Sequence, residues 1–371
     1  MRIIEDRRAL HRIPELELNL PKTMDYLRKT LENLNCSLVF PMDSALAAFF
    51  DFGADHAIAF RADCDGLPIT EKSGCDYCST HLGCMHACGH DAHAAIGLGA
   101  AAELWARREE LAGTVRLIFQ SAEEGLRGAA SMTAAGAVAG ADRLFGLHVG
   151  IVPGPVGRVA VSARGFLSST KLDAIFHGRS AHAGICPEEG RNALAAGARA
   201  TLELLEIPQK VEKVCRVNVG TFHAGTGRNV IPDRAHLAIE TRGETAQVNA
   251  NAEEMARNVC AAAAEEYGCT VEFCLMGGAG GAACDDALAR RAAAAAEQLE
   301  GISEILYDVP FGGGEDVTTM MTAVQAQGGQ ATELVLCADH TAPHHNGSFE
   351  IDEGVIPLGV ELLTRLALLA D

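Results

Sequence analysis

Positive charge is scarce in this chain. Thirty Lys and Arg stand against 49 Asp and Glu, a net charge of −19 over 371 residues, and aromatic residues make up only 5%. No cluster of Lys or Arg interleaved with aromatics stands out, so nucleic acid and anionic membrane are excluded as expected partners. Long apolar runs are also missing. Those present, such as 92–102, are rich in Ala and Gly and shorter than a membrane span, and the opening Met-Arg-Ile-Ile-Glu-Asp-Arg-Arg has no apolar signal segment. The thirteen cysteines are odd in number, in a long chain without a secretory signal. Reduced thiols in a cytoplasm are therefore expected rather than a disulfide framework.

What is present points to a globular protein. The apolar fraction is 48%, and the length exceeds what one hydrophobic core usually supports, so two domains are expected. Strand and helix patterns alternate, as in an α/β protein. Short apolar strands are predicted at 57–61, 114–119, 144–147 and 333–337, and a helix at 92–108. Gly and Pro end the first strand in a loop carrying Asp63 and Asp65.

Residues 83–93 read Gly-Cys-Met-His-Ala-Cys-Gly-His-Asp-Ala-His. Single Cys and His residues are often core packing or hydrogen-bonded structural groups. A set this dense is not, because thiolate and imidazole suit zinc and its first-row neighbours, and Gly89 lets the backbone turn closely between Cys88 and His90. Cys75 and Cys78 add a C-x-x-C pair, for which a structural zinc or iron–sulfur site is the alternative reading. A closed four-thiolate site needs a second well-spaced pair, and Cys84 and Cys88 are four apart with histidines between them.

In an open sheet, ligand groups collect at the carboxyl ends of strands. Four loops here would deliver Asp63 and Asp65, the Cys88/His90 cluster, Glu123 and Glu124, and His148 with His340, His344 and His345. Metal-assisted hydrolysis needs one carboxylate on the ion and another free to move a proton, and adjacent glutamates can divide those tasks.

These residues resemble the M20 metallopeptidases, in particular the aminoacylase-like amidohydrolases. The resemblance rests on Leu10–Leu16 (LHRIPEL), Arg61–Pro68 (RADCDGLP), Met85–Asp91 (MHACGHD), Phe119–Gly125 (FQSAEEG), Gly146–His148 (GLH), Ser180–Gly184 (SAHAG), Asn229–Pro232 (NVIP), Gly314–Asp316 (GED) and His344–Asn346 (HHN). It implies that Cys88, His90, Glu124, His148 and His345 bind two divalent ions, manganese or zinc with cobalt as a further choice, and that Cys88 bridges them. His344 is the alternative to His345, which Phe349 favours by following it at four positions. Glu123 would be the general acid/base, and Asp65 the carboxylate that orients His90. His86 and His93 would hold the loop and helix by hydrogen bonds.

The resemblance also implies an α/β/α catalytic domain with a central mixed sheet, zinc-exopeptidase-like, formed by residues 1–166 and 277–371. A smaller α+β two-layer lid and dimerisation domain, residues 167–276, would interrupt it, with Gly277–Gly281 as the return hinge. In the lid, His182 would stabilise the oxyanion in a partner's site, and Asn229 and Arg242 would bind substrate. The stretches 325–332 and 241–245 resemble aminobenzoyl-glutamate hydrolases. The implied reaction is hydrolysis of an N-acyl or N-aroyl amino acid, aminobenzoyl-glutamate among them, by a homodimer or a homologous heteromer. A non-catalytic subunit of a heteromeric amidohydrolase, or a dipeptidase or carboxypeptidase of the same family, are the alternatives.

Overall fold

Four strands, Thr114–Gln120, Ala57–Asp63, Arg143–Val149 and Gln330–Leu336, pair in parallel in that spatial order. Ala57–Asp63 is buried along its whole length and the other three nearly so. Strands covered on both faces need near-continuous apolar residues, which is the pattern of these four segments. The structure is a computed structural model describing residues 2–53 and 56–368. Antiparallel strands extend the sheet on both sides, Ala45–Asp51 and Ser37–Met42 on one, Arg158–Ala160 on the other with Glu304–Leu306 beyond it. The result is an eight-stranded mixed sheet.

Helices cover both faces. On one, His90–Ala106 is buried over most of its length and packs with Ile3–His11 and Val355–Leu368. Its small residues permit that burial: a Cβ at Gly97 would lie 2.8 Å from Phe119 Cε1, and one at Gly99 only 2.4 Å from Val360 Cγ2. On the other face, Met320, Met321 and Val324 of the Val317–Ala326 helix join Met132, Ile118 and Leu144 in a second core. The first three strands run one to three residues beyond the predicted spans, the fourth starts three residues earlier and ends one earlier, and the helix starts and ends two residues earlier than expected, at His90 and Ala106.

The chain divides into two compact units, one formed by residues up to Gly165 and from Ala282 onward, the other by Phe166–Gly281. The second is a two-layer structure. Its four-stranded antiparallel sheet has the order Thr270–Ala279, Ser168–His177, Arg234–Gly243, Cys215–Ala224. The helices Ala193–Leu204 and Ala246–Glu266 share a core with Leu172, Phe176 and Leu237. Each helix starts at a side-chain cap: Asn192 accepts from Ala195 N–H and Thr245 from Val248 N–H.

The glycine run read as a hinge behaves otherwise in its first half. Gly277, Gly278 and Ala279 continue the Thr270–Ala279 strand, opposite Lys171, Thr170 and Ser169. The expected boundary at 276/277 therefore falls inside a paired strand, and the compact unit ends at Gly281. The outer bounds of the expected domains, Met1 and Asp371, lie outside the described residues. Among the described residues no helix is long and apolar enough to cross a membrane.

Candidate metal centre

The carboxyl ends of the four parallel strands carry the candidate residues, as the sequence leads one to expect. Asp63 closes one strand and Asp65 follows it; Glu123 and Glu124 form the turn after Gln120; His148 is the penultimate residue of its strand; His344 and His345 lie in the segment after Leu336. Cys88 and His90 enter from the start of the buried helix. Gly89 between them has φ +87°, and a Cβ there would meet Val149 Cγ2 at 2.6 Å, so both the turn and the close approach require glycine. Backbone strain collects here too. Of the five non-glycine residues with positive φ among the described ones, Ala122 and Leu126 flank the glutamates and His345 is a candidate ligand.

Donor atoms of Cys88, His90 and His148 lie within 4.8 Å of one another, as do those of Cys88, Glu124 and His345. Cys88 belongs to both sets, so a thiolate there would bridge two ions. Its Sγ is 3.7 Å from His148 Nε2, and His345 Nε2 is 3.4 Å from Glu124 Oε1. An ion bonded at about 2.0–2.3 Å separates tetrahedral donors by about 3.3–3.8 Å, and these distances match. The tautomers match as well. His90 Nδ1 donates to the Asp65 carbonyl at 2.9 Å and His148 Nδ1 to the Val149 carbonyl at 2.9 Å, leaving each Nε2 for a metal. His90 Nε2 is buried with no hydrogen-bond partner among the described residues, as a waiting ligand should be.

Electrostatics favour a cation at this point. Burial opposes charge on His90, yet Asp63 and Cys88 overcome it and hold the imidazole well above its usual range. Burial, then His93 and His344, keep His148 well below its usual range, hence neutral and able to ligate. Burial, then Glu315, Glu124 and Asp316, push the Glu123 carboxyl far up. That is the direction a proton-shuttling carboxyl needs. Glu123 Oε2 sits 4.0 Å from His90 Nε2.

The Asp65 side chain acts differently from the expectation. Its carboxylate is 3.5 Å from His90 Nδ1, beyond a good hydrogen bond, and the backbone carbonyl orients the ring instead. The carboxylate accepts the N–H groups of Glu123 and Glu124, each at 3.1 Å. His93 meets its expected role: Nδ1 binds Asp63 at 2.5 Å and Nε2 accepts from Val149 N–H at 2.9 Å. His86 does not. It is buried, and neither ring nitrogen has a hydrogen-bond partner among the described residues. His344 stays close to the centre, with Nδ1 3.5 Å from Cys88 Sγ and its ring against Phe349.

Under the glutamate turn lies a buried network whose role does not follow from the sequence. Arg61 is 1% exposed and bonds Gln120 Oε1, Asp63 Oδ2, Glu315 Oε1 and Asp316 Oδ1 at 2.7–2.9 Å. Its members lie in the 61–68, 119–125 and 314–316 motifs, and no one of these motifs shows the pairing by itself.

In the second unit, His182 and Asn229 come together: His182 bridges Val230, and Ala183 N–H donates to the Asn229 carbonyl at 3.0 Å. Both are exposed. Arg242 is not brought to them. It lies near the far end of the strand whose first residue, Arg234, adjoins that loop, about 25 Å along the chain at 3.3 Å per residue, and its guanidinium bonds Glu240 at 2.9 Å.

The profile described as Peptidase family M20/M25/M40 matches residues 59–369. The chain is 42% identical over 319 residues to an indole-3-acetyl-aspartic acid hydrolase of Enterobacter agglomerans, covering 84% of this chain and 73% of that protein. It is 40% identical over 334 residues to one of the p-aminobenzoyl-glutamate hydrolase subunits of Escherichia coli K12, covering 88% and 76%. Among solved structures, an aminobenzoyl-glutamate utilization protein from Klebsiella pneumoniae superposes with TM-score 0.83 at 32% identity over 99% of this chain and 95% of that one. A dinuclear metal-binding peptidase of the M20 family from Bacillus subtilis does so with TM-score 0.73 at 28% identity, over 99% and 97%. With the profile spanning most of its length and relatives at this identity, the chain belongs to the M20/M25/M40 peptidase family and is a metal-binding hydrolase.

Proposed function

We propose that the chain hydrolyses the amide bond of N-acyl or N-aroyl amino acids, giving a carboxylic acid and a free amino acid. The observation that carries this reading is the pair of donor sets sharing Cys88, with the buried Glu123 carboxyl grouped beside them with His90 and Glu124. Cys88, His90, Glu124, His148 and His345 are the proposed ligands of two divalent ions. Such ions supply Lewis-acid polarisation of a carbonyl and acidify a water. Glu123 takes the proton of the attacking water and returns it to the amide nitrogen as the C–N bond breaks. Asp65 acts on this step by fixing the backbone of Glu123 and Glu124. Thiolate with imidazole suits zinc, and the carboxylates also accept manganese.

The two sequence relatives are named for substrates that join an aromatic acyl group to an acidic amino acid, which supports an N-aroyl or arylacyl aspartate or glutamate as substrate here. His182, exposed on the second unit, is proposed to stabilise the oxyanion in a homodimer, with Asn229 beside it as a substrate contact. Arg242, near the far end of the strand, is likewise proposed as a substrate contact, because in a homodimer one substrate can meet His182 of one chain and Arg242 of the other. The odd count of thirteen cysteines suits a reducing compartment, and the cytoplasm is the proposed location.

The Escherichia coli relative is named as one subunit of its hydrolase, which supports a second reading, a chain active only with a homologous partner. The test is release of free amino acid from a panel of N-aroyl, arylacetyl and acetyl amino acids by the purified chain loaded with manganese or zinc. Turnover establishes the hydrolase, and the panel ranks the acyl group. A metallated chain that turns over none of them contradicts the autonomous enzyme and favours the subunit reading.

A further inference from the structure

A second cluster of metal-ligating side chains lies outside the centre at Cys88. His11, the last residue of the Ile3–His11 helix, is fully buried. Its Nε2 is 3.1 Å from Glu71 Oε1 and 3.8 Å from Glu350 Oε1, and Cys75 Sγ is 3.5 Å from Glu71 Oε1. One donor atom from each of His11, Glu71, Cys75 and Glu350 lies within 4.8 Å of the other three. The three separations of 3.1, 3.5 and 3.8 Å lie at or just below the roughly 3.3–3.8 Å edges of a tetrahedron around an ion bonded at about 2.0–2.3 Å.

The surroundings are those of a ligand set. His11 Nδ1 is 2.7 Å from Asp91 Oδ2, the carboxylate–histidine pairing that turns the other ring nitrogen toward a metal. Asp91 is held by Arg7 Nε at 2.7 Å. Glu350 Oε2 takes hydrogen bonds from Arg7 and from the Tyr77 hydroxyl, while its Oε1 is buried with no hydrogen-bond partner among the described residues. Glu71 Oε2 accepts Ser79 N–H. Cys78 Sγ stands 3.3 Å from Cys75 Sγ and donates to the Cys75 carbonyl at 2.9 Å, which places it behind the donor set.

We propose that His11, Glu71, Cys75 and Glu350 bind one zinc ion, apart from the ions at Cys88. With four protein ligands the site is closed, so its role is structural. Residues 64–89, which carry Glu71, Cys75 and finally Cys88, contain no helix and no strand. A zinc at Cys75 ties this segment to the first helix and to the residues just before the Val355–Leu368 helix. The lack of a second cysteine pair argues against a four-thiolate site; histidine and two carboxylates from distant parts of the chain complete a mixed one instead.

The test uses the full chain dialysed against zinc and freed of excess, with zinc per chain measured by mass spectrometry. Cys75→Ala and, separately, Glu350→Gln are each expected to lose about one equivalent relative to wild type, while Glu124→Ala keeps that equivalent. Alkylation of Cys75 in the wild-type chain, mapped on peptides, is expected to be blocked by zinc and restored by a chelator; this reads the site even if a variant fails to fold. Equal zinc in wild type and both variants overturns the proposal. So does Cys75 labelling that ignores zinc, or a Cys75–Cys78 disulfide in the zinc-loaded chain.

Discussion

Asp65→Asn isolates what the buried Asp65 carboxylate does. Its two oxygens receive Glu123 N–H and Glu124 N–H at 3.1 Å each, and its backbone carbonyl, which orients His90, is untouched by the substitution. Asparagine offers one oxygen and one NH2, so one of the two N–H groups must face another donor inside a buried turn. Losing one charge-assisted hydrogen bond there costs about 1.5–3 kcal/mol. At about 1.4 kcal/mol per tenfold, kcat should fall roughly 10- to 150-fold if the displaced turn misplaces the Glu123 carboxyl. Steady-state hydrolysis of the best panel substrate, with metal content measured on the same sample, reads this directly. The expected pattern is a lower kcat, a KM within about threefold of wild type, and full metal content. Activity within twofold of wild type refutes the positioning role, and loss of metal in proportion to loss of activity shows that Asp65 acts through the ligands instead.

Gly89→Ala should weaken both folding and metal retention, because φ +87° costs a non-glycine residue about 1–2 kcal/mol and the new methyl meets Val149 Cγ2 at 2.6 Å; an unchanged melting temperature and metal content would contradict this. Arg61→Met should destabilise the chain by about 3–5 kcal/mol, since Asp63, Glu315 and Asp316 would be left buried without their cation. Urea denaturation measures it, and a change under 1 kcal/mol would show that the network is dispensable. Burial holds the His86 imidazole at about 3, so the unfolded chain binds a proton that the folded chain refuses. The associated stability is fully present above about pH 6.5 and is lost as pH falls toward 3, about 2 kcal/mol of it by pH 5. Wild type should therefore lose about that much more than His86→Leu between pH 7 and pH 5, and equal losses would point to another titrating group.

The parts legible in the sequence are those encoded locally. The four parallel strands announce themselves because burial on both faces demands continuous apolar residues, and the candidate site residues lie at their carboxyl ends and at the start of the helix that carries His90. The helix after Cys88 reads correctly from its Ala-rich composition, although its first two residues, His90 and Asp91, lie ahead of that apolar run. Groups assembled across long separations did not show. Arg61 looks like an ordinary cation until Glu315 and Asp316, some 250 positions away, close around it. The His11, Glu71, Cys75 and Glu350 set is likewise invisible in any local window. Glycine runs mislead because the residue type permits a hinge without requiring one, and in Gly277–Ala279 hydrogen bonding to the Ser168–His177 strand decides for a strand. Arg242 illustrates another limit: its chemistry suits a substrate carboxylate, while its strand position, away from His182 and Asn229 in the same chain, does not decide which site it serves.

The proposed chemistry has Glu123 moving the proton while Cys88, His90, Glu124, His148 and His345 hold the metal. Glu123→Gln keeps the shape of the side chain and leaves the ligand set intact, so metal content and kcat should be measured on the same preparation of wild type and variant. Unchanged metal with kcat lower by about 10²- to 10⁴-fold is the expected result. A variant that retains both its metal and wild-type turnover would contradict it.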